Sequence, residues 1–142
     1  MKSGLRVACL PAKPLMIYDG DCSFCSRWVR RWERNSAGRV EFLAYQDPRV
    51  AREFPELPIA ECEKAVQLIA ADGMIYSGAE AVFRALASNP ARRRWLRWYL
   101  QSNLFACLAE GAYRFVAKRR AFFSWLTRLW GGASGPGRGG AA

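Results

Sequence analysis

The chain has 142 residues, which is enough for one domain that buries a sizeable core without disulfides. Hydrophobic residues make up 51% of it and aromatic residues 13%, which excludes a wholly disordered protein. Histidine is absent, which excludes Ser-His and Cys-His catalysis and every His-ligated metal site. The net charge of +10 is concentrated in residues 89–142, which hold ten basic side chains and one acidic one, Glu110.

Residues 14–88 alternate strand-like and helix-like patterns. Short apolar runs predict strands, aromatic residues spaced by four predict the first helix, and Asp72-Gly73 predicts a hairpin. This order, β-α-β-α-β-β-α, is typical of a thioredoxin-like α/β sheet, in which parallel strands precede an antiparallel hairpin. The predicted strands lie at 15–18, 40–44, 65–70 and 74–76, and the predicted helices begin near Cys22, Pro48 and Ser77. Ser77 and Glu80 have the spacing of a capping box at the start of the last of these helices.

The segments on either side of this core are assigned by composition. Residues 1–13 are expected to form an N-terminal arm, and residues 131–142 a disordered Gly-rich tail. Residues 89–130 are expected to be a basic, aromatic helical extension of the same domain, with helices near 91–101, 104–118 and 119–130. The chain has no secretory signal pattern and no run of 18 apolar residues. We therefore expect a cytoplasmic protein, in which basic helices give a candidate peripheral contact with the membrane.

Five cysteines are present, and two of them form the motif Cys22-Ser-Phe-Cys25. An odd number with one close pair is not the framework of a secreted disulfide protein, so redox or metal chemistry is favoured. The motif lies where the first strand ends and a helix begins, and there the helix dipole and unbonded N–H groups stabilise a thiolate. We expect Cys22 to be the exposed attacking thiolate and Cys25 the more buried resolving thiol. Asp19 is a candidate proton acceptor for Cys25.

Three other readings of this motif remain open. The cysteines are structural in the first, and in the second they are metal ligands, although a zinc site would need four ligands and the chain has no second such motif. In the third, the strand followed by Asp19-Gly-Asp21 is the nucleophile motif of a Mg²⁺-dependent phosphatase. That reaction needs a downstream lysine, for which Lys64 is the candidate. The redox reading itself requires no cofactor and no metal ion.

The segment Asp19-Gly-Asp-Cys22-Ser-Phe-Cys25 resembles the DxxCxxC signature of the DCC family of predicted thiol-disulfide oxidoreductases. Later blocks of the chain are also similar to that family, so the resemblance covers roughly residues 14–125. It implies a thioredoxin-like fold and assigns Asp19, Cys22 and Cys25 to the signature. The chain differs from thioredoxins in one respect, since no proline directly precedes the third strand and the nearest one is Pro58. This difference weakens the case for substrate binding by the usual backbone pairing.

The remaining features suggest where the other residues lie and which partners the protein has. Cys107 is expected to pack as a small apolar residue, Cys62 to flank the third strand, and Trp28 and Trp32 to lie in the core.

For the enzyme, the expected partner is a protein or small-molecule thiol or disulfide. The competing function is a binding module whose basic aromatic helices, residues 92–130, dock on an anionic membrane. Nucleic acid is the less favoured partner, because charge alone supports it.

Overall fold

The computed structural model describes residues 2–119 and Trp125. Most of the predicted helix at 119–130 and the whole Gly-rich tail at 131–142 lie outside the described residues. The described part contains the strands β1 (Lys2–Arg6), β2 (Leu15–Tyr18), β3 (Glu41–Ala44), β4 (Gln67–Ile69) and β5 (Met74–Ser77). Its α-helices are α1 (Ser23–Ser36), α2 (Pro48–Glu53), α3 (Ile59–Lys64), α4 (Gly78–Ala87), α5 (Arg93–Gln101) and α6 (Asn103–Lys118).

The five strands form one sheet in the order β1-β5-β4-β2-β3. β2 and β3 are parallel, β4 is antiparallel to β2, and β4 and β5 form the predicted hairpin. The predicted thioredoxin-like α/β fold is confirmed. Two elements were not predicted: the helix α3, and β1, which pairs antiparallel with β5 within the expected N-terminal arm.

Alternating side chains of the strands form a core on each face of the sheet. Leu15 and Ile17 of β2 point to the first core, which is completed by residues of α2 and α3. Met16, which lies between them, points to the second core, which α1, α4 and α6 cover. β2 is thus buried on both faces, and its carboxyl end leads directly into α1.

The C-terminal helices attach to α4 and the sheet through polar contacts. The Glu110 carboxylate of α6 accepts hydrogen bonds from the Tyr99 hydroxyl at 2.8 Å and from the Glu80 amide at 3.2 Å. Burial, and then this bond to Glu110, raise the pKa of the Tyr99 hydroxyl, which therefore stays protonated as a donor.

The predicted capping box between Ser77 and Glu80 is wrong: the Ser77 side chain does not cap α4, and the Glu80 carboxylate pairs with Arg84 at 2.9 Å.

Candidate active site

The Cys-x-x-Cys motif begins α1 at the carboxyl end of a buried strand. β2 ends at Tyr18, three residues form a loop, and Cys22 is the N-cap residue of α1 with an extended backbone (φ −84°, ψ 106°). The Cys22 carbonyl accepts the first helical hydrogen bond from the Ser26 amide at 2.9 Å. The first turn of α1 holds no acidic residue, so no carboxylate within that turn opposes the positive end of the helix dipole.

The structure holds Cys22 and Cys25 as thiols on the same first turn. The Cys25 amide donates a hydrogen bond to the Cys22 sulfur at 3.3 Å. A donor in this position stabilises negative charge on sulfur, which is the form that attacks a disulfide. Both residues are half-buried, so Cys22 is less exposed than expected. The two sites differ in surroundings instead, because Cys25 lines an apolar cavity.

The loop before Cys22 is held by Gln46, a residue that no sequence motif indicated. Its side-chain oxygen accepts from the Gly20 amide at 3.0 Å, and its nitrogen donates to Asp19 at 2.9 Å and to Asp21 at 3.3 Å. Asp19 also accepts from the Asp21 amide at 3.1 Å. Gln46 follows β3, and β3 ends beside β2 because the two strands are parallel. That parallel register was the signal that could have identified it.

Glycine at position 20 is required by close packing. A Cβ atom there would lie 2.9 Å from the Ala44 Cβ and 3.1 Å from the Gln46 side-chain oxygen. The first distance is too short for real carbon atoms, and neither the strand β3 nor the bonded Gln46 can retreat easily. The Asp19-Gly20-Asp21 loop therefore has a fixed path that sets the position of Cys22.

An apolar cavity of about 470 Å³ lies beside Cys25. Its volume falls within the range of small-molecule binding sites. The wall is formed by α1, α4 and α6 together with Val66, which directly precedes β4. Trp28 stands at this wall with 41% of its surface exposed, so the prediction that it lies in the core is wrong. Its ring lies 6.2 Å from both Phe24 and Trp32, and these three rings form an aromatic row along one side of the cavity.

The other three cysteines differ from this pair in burial. Cys62 is 1% exposed within the first core, whereas Cys25 faces the second, so the sheet separates the two. Burial, and then the nearby Glu61, raise the pKa of Cys62 from 9.0 to about 11. Cys9 is exposed, and Cys107 is exposed on α6 rather than packed as expected. The described structure therefore brings Cys22 and Cys25 together, separates Cys62 from them by the sheet, and leaves Cys9 and Cys107 on the surface.

Two of the alternative readings can be compared with the structure. Among residues 2–119 and Trp125, no three His, Cys, Asp or Glu side chains are grouped so that they could hold a metal ion. Lys64, the candidate lysine of the phosphatase reading, lies 2.7 Å from the Glu61 carboxylate on α3. None of the described helices is long and apolar enough to span a bilayer.

Comparison with known proteins assigns the chain to a family. The sequence profile of the DCC1-like thiol-disulfide oxidoreductases matches residues 16–126, a stretch that includes the Cys22-x-x-Cys25 motif, Gln46 and the helices that enclose the cavity. The chain belongs to this family. The family expected from the DxxCxxC signature is thereby confirmed. Neither the curated proteins nor the solved structures searched gave a significant match to this DCC1-like chain.

Proposed function

We propose that this protein catalyses thiol-disulfide exchange through Cys22 and Cys25. The observation that carries the proposal is the geometry of the pair: the Cys22 sulfur caps α1 and accepts a hydrogen bond from the Cys25 amide at 3.3 Å. Membership of the DCC1-like family supports the same function. We also propose a cytoplasmic location, which is supported by an odd cysteine count with only one close pair.

In the reducing direction the exchange has two steps. The Cys22 thiolate attacks one sulfur of the substrate disulfide, which forms a mixed disulfide and releases the first substrate thiolate; that thiolate takes up a proton. The Cys25 thiol then loses its proton, and its sulfur attacks the Cys22 sulfur. The mixed disulfide breaks, the second substrate thiolate leaves and takes up a proton, and Cys22 and Cys25 end as a disulfide. Two electrons have passed from the pair to the substrate, and a thiol reductant restores the pair by the reverse steps.

Asp19 is the proposed proton acceptor for Cys25 in the second step. It belongs to the loop that carries Cys22, it is half-buried, and its carboxylate is held by Gln46 and by the Asp21 amide. A carboxylate fixed in this way needs no rearrangement before it receives a proton. Gln46 touches neither the substrate nor the reacting sulfurs in this account, so it is a positioning residue.

The cavity beside Cys25 suggests that the partner carries an apolar group next to its disulfide. Recognition by backbone pairing has little support at Val66, whose amide donates to the Tyr113 hydroxyl and whose carbonyl accepts from Gly78, both at 3.0 Å. The cavity offers aromatic and aliphatic contacts instead. We propose a protein or small-molecule disulfide in which an apolar substituent enters the cavity while the disulfide reaches Cys22.

Serine substitutions of the two cysteines test the proposal. The assay follows reduction of a peptide disulfide by the full chain, with dithiothreitol as the donor. We expect Cys22→Ser to abolish turnover, because the attacking sulfur is lost. We expect Cys25→Ser, reduced beforehand and mixed with the peptide disulfide in the absence of dithiothreitol, to stop after the first step, with the mixed disulfide on Cys22 captured by mass spectrometry. Cys107→Ser, which removes an exposed cysteine elsewhere, is the matched control and should keep full activity. Normal turnover in Cys22→Ser, or no mixed disulfide on Cys22 in Cys25→Ser, would contradict the proposal.

A further inference from the structure

The outward face of α6 is apolar. Leu104, Leu108 and Phe115 are 71%, 63% and 54% exposed, and Gly111 between them faces open space. Their spacing of four, three and four residues places all of them on one side of the helix. We call Leu104, Leu108, Gly111 and Phe115 the outer stripe. It extends along α6 for about 16 Å at 1.5 Å per residue.

α5 adds exposed tryptophan side chains to the outer stripe. Trp98 is 55% exposed, and its ring lies 5.5 Å from Trp95 and 6.4 Å from Phe105, the neighbour of Leu104 on α6. Leu100 is also 55% exposed. Single exposed apolar residues are common in proteins, but a stripe that neighbouring tryptophans adjoin marks an interaction surface.

The charges around this surface are almost entirely positive. Residues 89–119 contain seven basic side chains and one acidic side chain, Glu110. The Glu110 carboxylate bonds to Tyr99 and to the amide of Glu80, so it is turned toward α4 rather than toward the outer stripe. Arg93, Arg94 and Arg97 of α5 are exposed. An apolar stripe surrounded by cations complements an anionic surface that has an apolar layer beneath it.

We propose that the outer stripe and the exposed face of α5 bind the surface of an anionic lipid bilayer. α6 lies along the bilayer plane, with the leucines and Phe115 in the acyl boundary, the tryptophans at the headgroup level and the arginines on lipid phosphates. A nucleic acid would engage the arginines but leave the leucines in water. A second copy of this chain would bring two strongly basic surfaces together. The proposal is independent of the redox function.

Vesicle binding by the full chain tests this surface. The probes are phosphatidylcholine vesicles with and without about 30% phosphatidylglycerol, and binding is measured by co-sedimentation. We expect binding only to the anionic vesicles, and a loss of at least about tenfold in affinity when salt rises from about 50 to about 500 mM. Leu104→Gln combined with Leu108→Gln should weaken binding at least about tenfold, because two side chains no longer enter the lipid.

The matched control is Leu10→Gln combined with Ile59→Gln. These residues are 60% and 47% exposed, and both lie outside α5 and α6. This control should bind anionic vesicles as the unmodified chain does, and circular dichroism of both double variants checks their folding. Three results would overturn the proposal: no binding to anionic vesicles, equal binding of the two double variants, or self-association at α6 without vesicle binding.

Discussion

At the residue scale, the candidate site depends on a few side chains with well-defined neighbours. The Cys22 sulfur accepts a hydrogen bond from the Cys25 amide. The loop that carries Cys22 makes three hydrogen bonds with the Gln46 side chain. The cysteines were predictable because their motif stands at a strand-to-helix junction. Gln46 was not predictable by pattern, since its role depends on the alignment of two parallel strands that are separated by a helix in the sequence.

Gln46→Ala should loosen the loop before Cys22. The substitution removes an acceptor from the Gly20 amide and a donor from two carboxylates, in a setting that is partly open to solvent. We expect a loss of about 1 kcal/mol in the free energy of unfolding and a several-fold slower alkylation of Cys22. Chemical denaturation and timed mass spectrometry measure these quantities. Gln101→Ala, on the exposed surface of α5, is the control; if it behaves like Gln46→Ala, the positioning role is refuted.

The buried Cys62 thiol makes the free energy of unfolding depend on pH in the alkaline range. Burial raises its pKa to about 11 from 9.0, so the folded chain keeps this proton between those values while the unfolded chain releases it. Its contribution to the free energy of unfolding is complete below pH 9 and is lost as the pH rises through 11. Because the two pKa values differ by about two units, the free energy of unfolding falls by about 2 to 3 kcal/mol.

Substitution of Cys62 isolates this effect. The free energy of unfolding is measured by denaturant titration across the alkaline range for the unmodified chain and for Cys62→Ala. The Ala variant should lose less stability with rising pH, whereas Cys107→Ala, which changes an exposed thiol, should follow the unmodified chain. An identical pH dependence in Cys62→Ala and the unmodified chain would contradict the assignment.

At the element scale, the C-terminal helices are part of the enclosure of the site. α6 contributes Glu110 to α4 and the Tyr113 hydroxyl to the Val66 amide, and it forms one wall of the cavity beside Cys25. Helical periodicity predicted α5 and α6, but it did not identify the polar contacts that fix how they pack. The inward face is set by these two polar contacts, and the apolar outer stripe consequently faces outward.

Tyr113→Phe removes the acceptor of the Val66 amide while keeping the ring. An amide left without its partner in a partly buried position costs about 1 to 3 kcal/mol. We expect the free energy of unfolding to fall by this amount and the Val66 amide to exchange hydrogen faster. Tyr18→Phe serves as the comparison, since Tyr18 is a half-buried tyrosine that packs against the same second core. Equal hydrogen exchange at Val66 in both variants would refute the contact's role.

At the scale of the whole molecule, the order of elements could be read from the sequence more fully than their packing. The βαβαββα order follows from local patterns, and the structure contains each of its elements in that order, with β1 added before them and α3 added before β4. β1 was missed because Lys2–Arg6 has no apolar alternation, and its pairing depends on β5, which is remote in the sequence. The cavity was also beyond prediction, because three helices from separate parts of the chain must meet to form it.

Filling the cavity should change which disulfides react. Ala112→Phe places a ring in the wall formed by α6, so an apolar substituent loses its space. We expect the rate with dithiodipyridine, relative to that with glutathione disulfide, to fall at least about tenfold. Ala60→Phe, an exposed alanine on α3, is the matched control and should leave the ratio unchanged. If the ratio of the two rates is unchanged in Ala112→Phe, the cavity does not bind the apolar substituent of the substrate.

The most direct test of the central claim is a redox titration of the Cys22–Cys25 pair. Cys9, Cys62 and Cys107 are replaced by serine, and the mass after thiol alkylation reports the fraction oxidised at each potential. We predict a reversible two-electron transition between about −120 and −270 mV, the range of working thiol-disulfide oxidoreductases. If no disulfide forms between the two residues anywhere in that range, the pair is not a redox centre and the proposed exchange reaction is refuted.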